Sequence, residues 1–227
     1  ALNGKALMTK TTTTTTTTLP RDKKKAADET PGGWSVGLEP GFAREWLVDC
    51  YRLRLVDDMY YGGCFLHGLY AGAGTDAILR DFLHFCALAV AVRAVPSDGT
   101  PWWNWPAFLD DAARLLLRRF EKPDAIDKYG KENAFSVSFG GRSLRYVAQL
   151  VYKSTITAQG EHPDAAALRR TIDHHTGGKD KPFRTDGGPA AASGGGAAFD
   201  FADVGGPDVW QHFADRMRVD TKQQQAA

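Results

Sequence analysis

The run FAREWLVDCYRLRLVDDMY, residues 42–60, decides how this chain is read. Phe42, Trp46, Cys50, Leu53 and Tyr60 fall near one side of a helix, and Ala43 and Leu47 widen the apolar stripe beyond what a surface helix needs. Inside it, YRLRLVDD (51–58) sets charge against that stripe. Asp57 projects between Trp46 and Cys50, and Arg54 lies only about 60° away around the helix. Charges so placed need partners, and Arg54 reaches Asp57 or Asp58 at three or four residues' spacing. A buried network ordering the helix end would satisfy them at considerable desolvation cost. The competing reading is an arginine kept for a ligand.

Outward from this run, Gly62-Gly63 breaks the chain, and GLYAGAGTD (68–76) reads as a loop whose Thr75 caps the next helix. That helix is predicted over 76–94. Ile78, Leu79, Phe82, Phe85, Cys86, Ala89 and Val90 make it a central core helix, with Arg80 and His84 on a narrow polar strip and His84 at the surface. In PWWNWP (101–106) the flanking prolines keep the tryptophans out of a long helix. A third helix follows over 106–120, with Asp110 and Asp111 early and Arg118 and Arg119 late, as the helix dipole favours. Next come a short helical turn around Ile126 and Tyr129, then FSVSFGG (135–141), whose alternation predicts a brief strand. Leu144, Val147, Ala148, Val151 and Tyr152 mark a fourth helix over 142–157, and Pro163–His175 a weaker fifth in which Leu168 and Ile172 face inward.

The two ends read differently. Residues 1–38, with the threonine tract Thr11–Thr18 and the lysines Lys23–Lys25, carry no apolar periodicity and are expected to be disordered. The core domain is placed at 39–175. Residues 176–197 hold seven glycines and read as a linker, residues 198–219 as a terminal amphipathic helix that docks back or binds a partner, and 220–227 as a disordered tail. The fold class is therefore all-α: one compact, irregular bundle of about four to five helices.

Composition narrows the function classes. The 227 residues include 28 basic and 27 acidic ones, so the net charge of +1 supplies no broad field for nucleic acid or an anionic membrane. The longest apolar run, Phe85–Val92, is far short of the roughly 20 residues that span a bilayer. Three cysteines are too few for a disulfide scaffold and favour a reducing, intracellular setting, nuclear or cytoplasmic. The hydroxyl-rich, acid-poor start adds a mitochondrial alternative.

Four constellations could carry chemistry, and none does so convincingly. Cys64, His67, His84 and Cys86 are zinc-ligand types, but positions 84 and 86 stand about 200° apart on a helix and cannot approach one ion. Cys64 with His67 could be nucleophile and base, yet nothing supplies an orienting third group. Gly72-Ala-Gly74-Thr-Asp-Ala77 loosely matches a dinucleotide fingerprint but lacks a surrounding βαβ unit. His174-His175 sits beside the glycine-rich segment and receives no role. No catalytic residue, metal ligand or cofactor is assigned.

The motifs DCYRLRLVDDMYYGG (49–63), GLYAG (68–72), DFLHF (81–85), PWW (101–103), EKPDAIDKYG (121–130) and RSLRYVAQLVY (142–152), in this order, resemble the region C-terminal to the MYND zinc finger in fungal MYND-finger proteins. Relatives of that region occur in mitochondrial translational activators. The resemblance covers residues 45–153. It maps onto Asp49, Tyr51, Arg52, Arg54, Asp57, Asp58, Tyr60, Tyr70, Trp102, Trp103, Glu121, Lys122, Asp124, Tyr129 and Arg142, with no chemistry assigned to any of them. A MYND finger itself uses more cysteines than the three here, so zinc does not carry over, and a finger would lie upstream of Ala1 or have been lost. FSVSFGG also departs from the shorter connection expected in that family.

These readings lead to a non-enzymatic helical module that binds an unidentified protein partner. One alternative is a small-ligand binder or enzyme using Arg54, Asp57 and loop 68–76, which requires Arg54, Asp57 and His67 to share a pocket. The other is a nucleic-acid-associated protein using Lys23–Lys25 and the WWNW aromatics, which requires cations beside those tryptophans.

Overall fold

The computed structural model describes residues 33–62, 66–72, 74–95, 103–137, 141–155, 162–186 and 199–226, the last with side chains to residue 223. Among them are eight α-helices: α1 (Pro40–Tyr61), α2 (Thr75–Ala91), α3 (Trp105–Leu115), α4 (Lys122–Tyr129), α5 (Lys131–Phe135), α6 (Leu144–Tyr152), α7 (Pro163–His175) and α8 (Pro207–Ala226). The expected helical class is observed, with more helices than the four or five predicted.

Local chemistry sets the ends. Pro40 opens α1, where its missing N–H costs nothing, and the Gly62 amide closes it by donating to the Asp58 carbonyl. Asn104 accepts from the Ala107 amide at 3.0 Å and, with Pro106 in the first turn, starts α3. The Glu121 amide donates to Asp124 at 2.7 Å at the head of α4, and Ser143 accepts from the Tyr146 amide at 3.0 Å at the head of α6. Thr75 does not cap α2. Gly74 stands at that position, and the Thr75 hydroxyl instead meets Thr221 of α8 at 2.9 Å.

Two helices form the centre. In α1 every residue from Trp46 to Asp58 is buried, and in α2 every residue from Ile78 to Ala89. Helices α3, α4 and α6 pack on α1, while α6, α7 and α8 pack on α2. A short 3-10 turn, Gly68–Ala71, touches both central helices. The terminal helix docks back, burying Trp210, Phe213, Ala214 and Met217 against α2 and α3. Large side chains buried this completely contribute about 1.5–3 kcal/mol each. Three indoles add fixed tethers, Trp34 to the Ala94 carbonyl at 2.7 Å, Trp46 to that of Arg142 at 3.1 Å and Trp210 to that of Val204 at 2.9 Å.

Several expectations are corrected. The helix predicted over 106–120 starts at Trp105 and ends at Leu115, because the following turn bends to bring Phe120 inward. Phe135 closes α5 instead of opening a strand, and Ser136 and Val137 are in no strand; Ser138–Gly140 lie outside the described residues. The segment assigned to a disordered tail includes Trp34, which is buried. The segment assigned to a linker begins with Thr176 and contains Phe183, both buried, because Arg80 and α8 need cover. The helix assigned to 198–219 begins at Pro207, preceded by a 3-10 turn at Phe201–Val204, and runs to Ala226, through the tail expected at 220–227. The threonine tract and Lys23–Lys25 lie outside the described residues. Among the described residues no helix is long and apolar enough to cross a membrane.

Candidate functional site: a buried ionic network

The charges of YRLRLVDD do find partners, though not all those nearest in sequence. Arg54 donates through Nε to Asp58 at 2.7 Å, through Nη1 to the Ser154 carbonyl at 3.0 Å and through Nη2 to the Ser154 hydroxyl at 2.9 Å. Its guanidinium also lies 4.7 Å from the centre of the Tyr152 ring, a cation–π contact. Asp57 turns the other way, to a two-point pair with Arg145 of α6 at 2.8 and 2.9 Å. The Arg54–Asp57 pairing considered from spacing is therefore replaced by Arg54–Asp58. An arginine one helix away offers Asp57 the planar fork that a neighbour on its own helix cannot.

His67 joins this cluster from the start of the 3-10 turn. Its Nε2 lies 3.0 Å from Asp58 and its Nδ1 2.9 Å from Asp81 of α2. Both ring nitrogens face carboxylate oxygens, which only accept, so both carry protons and the ring is an imidazolium. Burial by itself would lower the His67 pKa, but the charges and hydrogen bonds of Asp81 and Asp58 outweigh it and push it up to about 9. Asp81 in turn accepts from Tyr51 at 2.7 Å and from Arg169 of α7 at 2.6 Å. Burial would raise its pKa, yet His67 and Arg169 hold the carboxyl well below the usual range. The Tyr51 hydroxyl is pushed up by burial and by the Asp81 charge.

A second cluster surrounds Asp49, which accepts from Arg52 at 2.6 Å, Tyr129 at 2.7 Å and Lys128 at 2.9 Å. Arg52 also donates to the carbonyls of Arg118 and Arg119, each at 3.0 Å, and covers the Phe120 ring at 4.5 Å. Burial, and then the Asp49 carboxylate, raise the Tyr129 pKa. Both clusters belong to a wider pattern. Each major helix packed on α1 or α2 brings a charge to an opposite charge on it: Arg44–Asp111 for α3, Lys128–Asp49 for α4, Arg145–Asp57 for α6, Arg169–Asp81 for α7 and Arg218–Asp76 for α8.

The other candidate residues take quieter places. Tyr70 is half-buried, Arg142 donates to the Val36 carbonyl at 3.0 Å, and Asp124 caps α4. Trp103 is buried against Trp105 and Phe108, whose ring centres lie at 5.4 and 4.9 Å, so this indole belongs to the core. Trp102 and Cys64 lie outside the described residues. His84, expected at the surface, is fully buried, with Nε2 2.8 Å from the Ala165 carbonyl. Arg80, expected on the same polar strip, is buried and donates to the hydroxyl and carbonyl of Thr176 at 3.0 and 3.2 Å. The strip faces backbone carbonyls of other elements and not water. Cys50 and Cys86 are buried free thiols raised by burial, and no metal-binding group of histidine, cysteine or carboxylate occurs among the described residues.

Sequence reasoning did not find Asp81, Arg145 and Arg169 as members of the network. The available signal was charge placed within an otherwise apolar run, as Arg80 and Asp81 are between Leu79 and Phe82. Chemically, the arrangement stores paired charge. The imidazolium has no lone pair to offer a substrate, and both Asp81 oxygens are taken by donors. Comparison with known protein families, curated proteins and solved structures finds no match.

Proposed function

We propose that this chain is a non-enzymatic helical interaction module, the accessory domain of a regulatory protein of the MYND-finger kind. The observation that carries the reading is the state of His67. A general base must hold a free lone pair near neutral pH. A histidine clamped between Asp58 and Asp81, with its pKa near 9, holds none. The motif residues Asp49, Arg52, Arg54, Asp57 and Asp58 are likewise engaged with other parts of the fold, as scaffold residues are. The ordered motifs from Asp49 to Tyr152 supply the MYND-finger context.

The two alternatives receive less support. A site combining Arg54, Asp57 and His67 would need Asp57 to face the other two, and Asp57 is engaged by Arg145 instead. A stacking platform at the WWNW segment would need open rings, and Trp103 and Trp105 are buried.

Thermal denaturation of the full chain against a panel of nucleotides, amino acids, organic acids and divalent metals tests the reading. A ligand at a hundred times its Kd stabilises by about 2.7 kcal/mol, which is easily seen. The expected outcome is no saturable rise in Tm. A saturable rise abolished by Arg54→Gln would overturn the proposal in favour of a ligand-binding protein.

A further inference from the structure

Of the charged side chains named in the ionic network, only His67 lies outside an α-helix. It heads the 3-10 turn Gly68–Ala71, inside a stretch, residues 66–72, that buries little else. His67 and Gly68 are buried, Leu69 and Tyr70 are half-buried, and Leu66, Ala71 and Gly72 are exposed. The Tyr70 amide donates to the His67 carbonyl at 3.2 Å, a bond within the turn itself. Gly68 rests against the Tyr51 hydroxyl and the Leu55 methyls. On the far side Gly72 and Gly74 adopt positive φ, and nothing lies within 4 Å of the place a Cβ would take on either, so their freedom serves the turn of the chain and not close packing.

The clamp on His67 is asymmetric. Asp58 keeps the Arg54 guanidinium at 2.7 Å without the histidine, and Asp81 keeps Tyr51 at 2.7 Å and Arg169 at 2.6 Å. Both acids therefore stay paired within the helical core whatever happens to the imidazole. The turn has no such reserve of charge. A neutral imidazole donates from one nitrogen only, so the other would turn a lone pair toward a carboxylate oxygen at 2.9 or 3.0 Å, and one of the two ties holding the turn to α1 and α2 would become a repulsion.

We propose that residues 66–72 form a hinged flap latched by the proton on His67, closed over Asp58 and Asp81 while both ring nitrogens donate, and opening as a unit when one of them loses its hydrogen while the helices stay folded. The groups that set the latch come from each neighbouring element: Tyr51, Arg54 and Asp58 from α1, Asp81 from α2, Arg169 from α7, and Tyr152 of α6, whose ring centre lies 6.3 Å from that of His67. The two carboxylates hold the His67 pKa at about 9, so the flap is closed at neutral pH and opens in alkaline solution. Opening uncovers Tyr51 and the two acids with their arginines still in place. The device does not depend on what the module binds.

The test is quench-flow hydrogen–deuterium exchange on the full chain at pH 6.5 and pH 9.5, with each rate divided by its intrinsic chemical rate to give an opening constant. Two results are expected together. The opening constant for residues 69–72 should rise about a hundredfold across this range, as release of one proton from a group raised to about 9 requires. At pH 9.5 it should also exceed that of residues 78–89 of α2 at least tenfold, which marks a local opening. In His67→Gln the flap should be open at both pH values, with no pH dependence. Equal opening constants for the flap and α2 at pH 9.5, a flap constant that does not change with pH, or a pH rise retained in His67→Gln overturns the proposal. Should the variant not fold, the two comparisons on the natural chain decide.

Discussion

Titration of His67 links the ionic network to a measurable stability. The unfolded chain should hold this histidine near its ordinary pKa of 6.5, whereas in the fold it is raised to about 9. Below pH 6.5 both states carry the proton, and the full stabilising contribution is present. Between 6.5 and 9 the folded state keeps a proton that the unfolded state has lost, so stability falls as pH rises, and above 9 the contribution is gone. At about 1.4 kcal/mol per pH unit the interval corresponds to about 3 kcal/mol. Urea denaturation at pH 6 and pH 9.5, on the natural chain and on His67→Gln, isolates it. With an m-value of about 2 kcal/mol/M, the natural chain should lose about 1.5 M more in midpoint across this range than the variant does. Equal pH slopes for the two proteins, or a natural chain that gains stability toward pH 9, would refute the reasoning. Should the variant not fold, an NMR titration of the His67 ring in the natural chain decides the matter: a midpoint near 9 supports it, and one at or below 6.5 refutes it.

Three further outcomes can be checked by the same denaturation assay. Asp81→Asn removes the carboxylate that faces buried His67 and partly buried Arg169 and leaves His67 with Asp58 as its remaining carboxylate, so a loss of about 3 kcal/mol, the low end for a broken buried pair, is expected. Tyr152→Phe removes a buried hydroxyl that has no hydrogen-bond partner among the described residues, so stability should change by less than about 1 kcal/mol; a loss above about 2 kcal/mol would show that the hydroxyl is satisfied. Gly68→Ala should destabilise by about 2 kcal/mol or more, because φ is +53° and the new Cβ would overlap the Tyr51 hydroxyl and lie 2.9 Å from the Leu55 methyls.

The parts of the fold legible in sequence are those whose signal is local. The stripes of α1 and α2 are broad enough to announce central helices, and the spacing of Arg54 and Asp58 contains their pair. Asp57 and Arg145 stand 88 residues apart, and Tyr51 and Asp81 stand 30 apart, so no helical spacing rule can join them. The misreading of Arg80 and His84 has a different cause. A narrow polar strip on an apolar helix looks the same whether it faces water or backbone carbonyls, and carbonyls leave no mark in a sequence. The residues that cover Arg80 follow Thr176 in a stretch whose glycines resemble a linker. Gly177 and Gly178 there adopt positive φ, which lets the chain turn over the guanidinium. Glycine content thus signalled a tight turn as well as a loose segment, and composition alone does not separate the two.

The distribution of ion pairs explains why a core so rich in apolar side chains also contains this much charge. A helix buried on nearly every side, as α1 and α2 are, gives apolar neighbours little reason to prefer one rotation over another, since each rotation buries similar area. A buried carboxylate does discriminate. Correctly paired it contributes little net stability, because desolvation offsets most of the attraction, but left unpaired it costs several kcal/mol. The buried acids Asp49, Asp57 and Asp81 each face a cation from a different packed helix, and the more exposed pairs Asp76–Arg218 and Arg44–Asp111 add to them. Turning either central helix by one residue would strand several of these charges together, a penalty that grows with every helix added. On this view the acids of the motif fix the orientation of the central helices. The pairing stops at Asp58, and beyond it the last residues of α1, Tyr60 and Tyr61, are free of this constraint and exposed.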